Sequence, residues 1–288
     1  MKYKIEPNRH AVVTALPTNP FTSDYAERVP LSSDPLARVL VQVRFLPILM
    51  LSTEEGVARF QDFVREDFPY LLTFTQQDEI SNIGSGGSIG SEVKSSTVTV
   101  HHFVSKDQKS RLTLMKNALT LETAEYIQRE RFISSFEKVL DNFFKNYQPI
   151  VNGMGFRYVN RLPAEGEDGV PPVSELVIPQ LLGVRSTFNE AHCVRERFNA
   201  EVITPEGRVI LNWGFSPARE LHDYAVLYPV DVPTWYLDID STTVNDSSTK
   251  LEDIDRVMEG IVKLADRGRT IFSWSVTQKF FEIFKTKD

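Results

Sequence analysis

The segment Leu36–Phe45, LARVLVQVRF, decides the kind of fold this chain adopts. From Val39 to Phe45 an apolar residue recurs at every second position, while Gln42 and Arg44 fall between them. This period of two is the spacing at which a β-strand places side chains on one face. Pro47 follows and ends the run. The segment therefore predicts a strand with one buried face, and ordered structure is expected to begin here.

The sequence before this strand is rich in proline. Residues 1–35 contain five prolines, Pro7, Pro17, Pro20, Pro30 and Pro35. Proline lacks the backbone donor that a helix interior or a central strand needs. The segment is therefore predicted to be an extended arm, laid over the rest of the fold.

After the strand, the pattern changes to that of a helix and then to that of a sheet. Thr53 can cap a helix predicted to run to Phe68. Short turns then join three further strands, predicted at Thr97–Val104, Arg111–Met115 and Leu119–Thr123. Such short connections predict antiparallel pairing. A long helix, capped by Thr123 and ending at Tyr147, closes a first α+β unit over residues 36–147.

The second half repeats this order of elements over residues 153–288. A strand at Gly153–Leu162 is followed by three strands, Val194–Thr204, Arg208–Phe215 and Thr234–Thr242. A long helix begins near Thr249, and its apolar stripe continues past Gly268, which favours a close-packing site or a break about equally. The predicted fold class is α+β, with antiparallel sheets each covered by a long helix and a loose internal duplication of two similar halves packed as one body.

Composition narrows the class of protein. The chain has 39 acidic and 32 basic side chains, a net charge of -7, and a single cysteine, Cys193. The acidic balance disfavours nucleic acid as a partner, and one cysteine cannot form an internal disulfide. The first ten residues lack the apolar run of a secretory signal, and no stretch is apolar enough for a membrane helix. We expect a cytoplasmic protein.

Several short strings resemble a sporadically distributed family of uncharacterised bacterial proteins. The strings are Leu40–Phe45, Arg111–Leu114, Ala118–Thr123, Arg157–Leu162 and Leu237–Asp240, and the likeness extends over about residues 36–285. Members of that family often carry a histidine in the last helix, whereas Val262–Phe272 contains none here. The family's patchy distribution implies a gene that travels with phage-defence or toxin–antitoxin cassettes.

Three motifs resemble catalytic or metal sites, but none has the spacing that such a site needs. The segment Gly84–Gly90, GSGGSIG, lacks the Lys-Ser/Thr pair of a phosphate loop and is predicted to be a mobile linker. His101 and His102 are adjacent, so a strand places their rings on opposite faces. His192 beside Cys193 lacks the geometry of a nucleophile and its base. The sequence therefore predicts no catalytic residue, no metal ligand and no cofactor.

Two carboxylates occupy one face of the last predicted strand. Asp238 and Asp240 alternate with the apolar residues Leu237 and Ile239. On one face they could hold Mg²⁺ or share a proton, or they could simply form the solvated side of a half-buried strand.

Four arginines and an asparagine complete the set of candidate binding residues. Arg157, Asn160 and Arg161 share one predicted strand, and Arg44 and Arg111 lie on others. If those strands are neighbours, the guanidinium groups could receive a carboxylate or phosphate of a ligand or partner. The alternative is a structural network with the acidic residues of the chain.

Two functions remain open on the sequence alone. The first is a non-enzymatic interaction protein that binds a protein partner, encoded by a neighbouring gene of a defence or toxin–antitoxin-like cassette. The second is a ligand-binding or hydrolytic enzyme that uses Asp238, Asp240 and the arginines in a cleft between the halves.

Overall fold

The chain forms a mixed α+β structure around one large antiparallel sheet. This computed structural model describes residues 19–31, 35–80, 94–126, 128–166, 170–187, 194–220, 227–243 and 251–286. The strands are β1 (Leu36–Phe45), β2 (Tyr70–Ile80), β3 (Lys94–Val104), β4 (Ser110–Met115), β5 (Ala118–Thr123), β6 (Val151–Pro163), β7 (Glu196–Thr204), β8 (Gly207–Ser216) and β9 (Thr234–Thr242). The α-helices are α1 (Glu54–Val64), α2 (Arg129–Tyr147), α3 (Val173–Leu176), α4 (Ile254–Ser275) and α5 (Gln278–Phe284), with short 3₁₀ turns at Leu49–Ser52, Pro179–Leu181 and Gly183–Ser186.

The nine strands lie in the order β2-β3-β4-β5-β1-β6-β9-β8-β7. The first strands of the two halves, β1 and β6, pair with each other near the centre, with Val41 opposite Phe156. In each half the first strand also pairs with the last strand of that half, β1 with β5 and β6 with β9. A duplicated chain would produce this order, and the duplication itself stays a prediction.

The structure has one nine-stranded sheet where the sequence predicts a sheet in each half, and the covering of each half by its own long helix is not confirmed. The β1 and β6 backbones are hydrogen-bonded along their length, so the sheet runs through from one half to the other. Helix α4 contributes Ile261 to the core beside β1 and Ile271 to the core beside β9. Each strand of the central pair would otherwise expose an edge of unpaired backbone groups, which pairing β1 with β6 removes.

The described helices pack on one face of the sheet. Val39, Val41 and Val43 of β1 face α1 and α2, whose Phe60, Phe136 and Phe143 are fully buried among them. Leu237 and Ile239 of β9 face α5, which contributes Phe280 and Phe281. Burying a phenylalanine side chain stabilises a fold by roughly 1.5–3 kcal/mol, so these aromatic rings hold the helices to the sheet.

Helix α1 begins where the sequence predicts, whereas α2 and α4 begin later than predicted. Thr53 caps α1 as predicted, with its side chain accepting from the Gly56 amide. Thr123, in contrast, is the last residue of β5, and α2 begins after Gln128. Helix α4 begins after Asp253, whose carboxylate accepts from the Asp255 amide, and Thr249 lies outside the described residues.

Strand β2 has no counterpart in the sequence-based prediction, and the structure settles whether α4 continues across Gly268. Tyr70, Leu72 and Phe74 of β2 are each about half exposed, so the strand lacks the alternation that marks a buried face. Helix α4 continues through Gly268, where an added Cβ would lie 2.8 Å from the Tyr158 ring. Gly268 is thus a close-packing site and not a break.

Residues 19–31 of the arm lie against α4. Arg267, buried within the helix, donates to the carbonyl oxygens of Pro20 at 2.7 Å and Ser23 at 3.0 Å. The same guanidinium holds Glu206 through two bonds, of 2.9 and 3.0 Å. Residues 1–18 of the predicted arm lie outside the described residues.

Measured over its described residues, the chain has no helix with the length and apolar content needed to cross a membrane.

Candidate functional site

The face of the sheet opposite the helices holds most of the predicted site residues. We call it the open face and define it by the side chains that alternate with the core positions, such as Gln42 on β1, Arg157 on β6 and Asp238 on β9. None of the helices in the described part of the chain packs on it. Leu227 and Tyr228, from the connection between β8 and β9, lie over its middle.

Arg157 and Asp238 form a two-pronged ion pair on this face. The Arg157 Nε and Nη2 atoms donate to Asp238 Oδ1 and Oδ2, both at 2.7 Å. Asn212 on β8 adds a bond of 3.3 Å to Oδ2. The Asp238 carboxylate is fully buried, and parallel N–H···O bonds of this kind offset the cost of burying a charge. These two predicted residues are therefore each other's partners, as the structural-network alternative expects.

Asp240 shares the open face with Asp238, as the alternation predicts, but in a different environment. It is partly buried, and this burial raises the pKa of its carboxyl group. The neighbouring Arg157 acts in the opposite direction, and the nearby Asp238 charge reinforces the increase. Asp240 thus takes up a proton more readily than an ordinary aspartate.

A second charged cluster lies on the same face, at β1, β4 and β5. The Glu122 carboxylate of β5 forms ion pairs with Arg111 of β4 at 2.6 Å and with Arg38 of β1 at 3.2 Å. Arg38 and Glu122 are buried, and the Arg38 guanidinium also lies 5.1 Å from the centre of the Tyr228 ring. The predicted residue Arg111 is thereby held in a three-residue network.

The remaining predicted residues are Arg44, Arg161 and Asn160, and they do not all lie on the same face of the sheet. Arg44 is exposed on the open face and donates to Gln42 at 3.0 Å. Arg161 is on the same face and donates to the Tyr228 carbonyl at 2.8 Å. Asn160 is on the helix side, buried, with its amide donating to the Leu237 carbonyl. The structure therefore gathers the arginines and aspartates and places Asn160 apart from them.

The adjacent histidines do lie on opposite faces. His101 is buried on the helix side, 3.1 Å from the Thr73 hydroxyl, and burial lowers its pKa. His102 is on the open face, 2.9 Å from Thr113, and burial followed by the charge of Arg111 lowers its pKa to about 4. Both rings are therefore neutral near pH 7. Across the described ranges, no three His, Cys, Asp or Glu side chains come close enough to share a metal ion.

A cavity of about 370 Å³ lies between the two halves, on the helix side of the sheet. Its lining includes Tyr126 from the first half and Phe272 from the second. Of the candidate binding residues predicted from the sequence, Asn160 alone lines this cavity. This cavity is not the cleft that the sequence predicts, because Asp238, Asp240 and the four predicted arginines do not line it.

Sequence reasoning missed the residues that complete these clusters. Arg38, Glu122 and Asn212 each occupy an alternate position on a strand that was recognised, so periodicity could have placed them on the open face. Periodicity does not predict the order of the strands in the sheet, and therefore does not predict which of these side chains meet. The glycine-rich segment Gly84–Gly90 and the pair His192 and Cys193 lie outside the described residues.

A scan against protein-family models and a search of curated proteins both found no match. The resemblance to a sporadic bacterial family stays a prediction.

Proposed function

We propose that the protein is a non-enzymatic interaction protein whose open face binds an acidic surface of a protein partner. The observation that carries the proposal is the charge of that face. From β4 across to β7 it has three more arginines than carboxylates, although the whole chain carries a net charge of -7. The arginines are Arg38, Arg44, Arg111, Arg157, Arg161, Arg197 and Arg208, and the carboxylates are Glu122, Glu201, Asp238 and Asp240.

The buried members of this set support a rigid surface. Arg157 with Asp238, and Arg38 with Glu122, neutralise each other below the surface. The excess charge therefore falls on more exposed arginines such as Arg44. Exposed charges at the rim of an interface steer association with a partner of opposite charge.

An apolar margin on the same face favours a protein over a nucleic acid. Tyr70, Leu72 and Phe74, at the β2 end, are each about half exposed. Apolar side chains beside a charged area are typical of protein interfaces, whereas the carboxylates within the face would repel a phosphate backbone. A partner encoded by a neighbouring gene of a defence or toxin–antitoxin-like cassette would fit this proposal.

The test is binding of charged probes to the intact protein. We expect a fluorescent glutamate-rich peptide to bind, with affinity that falls as salt increases, and a lysine-rich peptide of equal length not to bind. Arg44→Glu and Arg197→Glu should each weaken binding about tenfold or more. Arg65→Glu, an exposed arginine after α1, makes the same charge change on the helix side and is the matched control.

Equal effects of all three substitutions would show that binding depends only on the net charge of the protein and not on the open face. That result would overturn the proposal. Tighter binding of a single-stranded oligonucleotide than of the acidic peptide would replace the protein partner by a nucleic acid. The same variants should then be tested against the product of the adjacent gene, co-expressed with this chain.

A further inference from the structure

We propose that the cavity between the halves binds a small organic anion, with one carboxylate or phosphate head group and a short apolar body. This site is on the helix side of the sheet, so the inference is independent of the open face. The volume of about 370 Å³ is within the range of small-molecule sites.

The charge of the lining specifies the head group. Arg28, Arg129 and Arg269 line the cavity, and no acidic residue lines it in the described structure. Arg129 and Arg269 come from α2 and α4, and both donate to Asp266, at 2.9 and 3.0 Å. One carboxylate thus serves two guanidinium groups, which leaves the pair with a net positive charge.

The guanidinium groups also retain unused donors. Arg129 Nε, Arg269 Nε and Arg269 Nη1 are buried and have no hydrogen-bond partner among the described residues. A buried donor without a partner costs about 1–3 kcal/mol, so an acceptor that reaches these groups would be bound strongly. A small rearrangement of either side chain would present these donors to an anion.

The start of α2 adds to the attraction. Gln128, the N-cap residue of α2, lines the cavity and makes no side-chain capping hydrogen bond. The N-terminus of a helix carries a partial positive charge, which extends the field of Arg129 into the cavity. The site thus combines a helix start with Arg129 and Arg269, which share one carboxylate, and with Arg28, which is paired with Glu130 at the more exposed side.

The remaining lining specifies the body of the ligand. Leu31, Leu36, Phe272 and Phe281 supply an apolar wall. Burial raises the pKa of Tyr158 well above its usual value, so its hydroxyl stays protonated beside the cavity. An apolar wall facing a cationic end fits an amphipathic anion and disfavours both a cation and a fully polar ligand.

The experiment is calorimetry on the full chain with octanoate, octyl phosphate and 1-octanol, which share one apolar chain. We expect one of the two anions to bind at least about tenfold more tightly than the alcohol, and the tighter one identifies the head group. Arg269→Gln should reduce anion affinity at least about tenfold and leave octanol unchanged. Ser273→Phe, which fills the cavity, should abolish binding of all three.

Arg256→Gln is the matched control, because Arg256 is on the same helix, strongly exposed and outside the cavity lining. Circular dichroism checks folding, and Arg28→Gln, at the more exposed side of the site, replaces Arg269→Gln if that variant does not fold. Octanol binding as tightly as both anions would overturn the proposal. Equal effects of the Arg269 and Arg256 substitutions, or no binding up to ~1 mM, would do the same.

Discussion

Asp238 shows how single residues on the open face combine burial with charge. It has no solvent-exposed surface, yet it is ionisable, and its partners Arg157 and Asn212 come from the strands on either side. A buried carboxylate is tolerated only when its oxygens are hydrogen-bonded. Arg157 therefore has a structural role before it can have any role in binding.

We predict that Arg157→Ala destabilises the protein by about 3 to 5 kcal/mol, because it leaves the Asp238 charge buried and without its main partner. Urea unfolding followed by circular dichroism gives the free energy. Replacing both partners, as Arg157→Met with Asp238→Leu, should recover most of the loss, since no buried charge remains.

Arg44→Ala is the control for this prediction, because it removes an exposed arginine from the next strand and should change stability by less than about 0.5 kcal/mol. A cost for Arg157→Ala no larger than that of Arg44→Ala would show that the ion pair contributes little.

At the scale of elements, α4 ties the two halves together through close approach to the sheet. It packs on β6 and β9 and also contacts α2. Two glycines face β6 from this helix, Gly260 above Met154 and Gly268 above Tyr158. The end of the Met154 side chain is flexible, whereas the Tyr158 ring is buried. The two glycines therefore permit a direct test of close packing.

We predict opposite effects of the same substitution at these two positions. Alanine favours a helix over glycine by about 1 kcal/mol. At Gly260 the new Cβ meets the flexible end of Met154, so Gly260→Ala should be neutral or stabilising by up to about 1 kcal/mol. At Gly268 it meets the buried Tyr158 ring at 2.8 Å, so Gly268→Ala should destabilise by about 1 to 3 kcal/mol.

Thermal and urea unfolding of the two variants decide between these outcomes. Stabilisation by Gly268→Ala would mean that α4 shifts away from β6 at little cost, and that the glycine is not needed for packing.

For the molecule as a whole, the decisive feature is the central pairing of β1 with β6. The core beside this pair draws side chains from both halves, including Phe136 from α2, Phe156 from β6 and Ile261 from α4. Neither half buries its central edge or this core without the other.

We therefore predict that the full chain unfolds in one transition. All three tryptophans lie in the second half, so their fluorescence follows that half, whereas far-UV circular dichroism follows both. The two signals should give coincident urea curves. Residues 36–147 expressed alone should lack a cooperative transition and self-associate through the exposed β1 edge. Two separated transitions in the full chain, or a stably folded monomeric fragment, would contradict this prediction.

Local sequence patterns predicted most of the strands and helices and the face of the sheet on which many side chains lie. Alternation placed Asp238 and Asp240 together and separated His101 from His102, because the strand pleat is a local property of the backbone. Alternation does not mark β2, whose apolar residues are exposed at the sheet edge. The start of α2 is predicted too early, at Thr123, because a threonine that can cap a helix can also end a strand.

Which elements are neighbours depends on contacts that local sequence patterns do not show. The pairing of β1 with β6 merged two predicted sheets into one, brought Arg157 to Asp238, and enclosed a cavity lined by Arg129 and Arg269, which no motif marks. Periodicity specifies the direction of a side chain but not its partner. Partners are set by the burial of apolar surface and backbone edges summed over the whole chain, which depends on contacts distant in sequence.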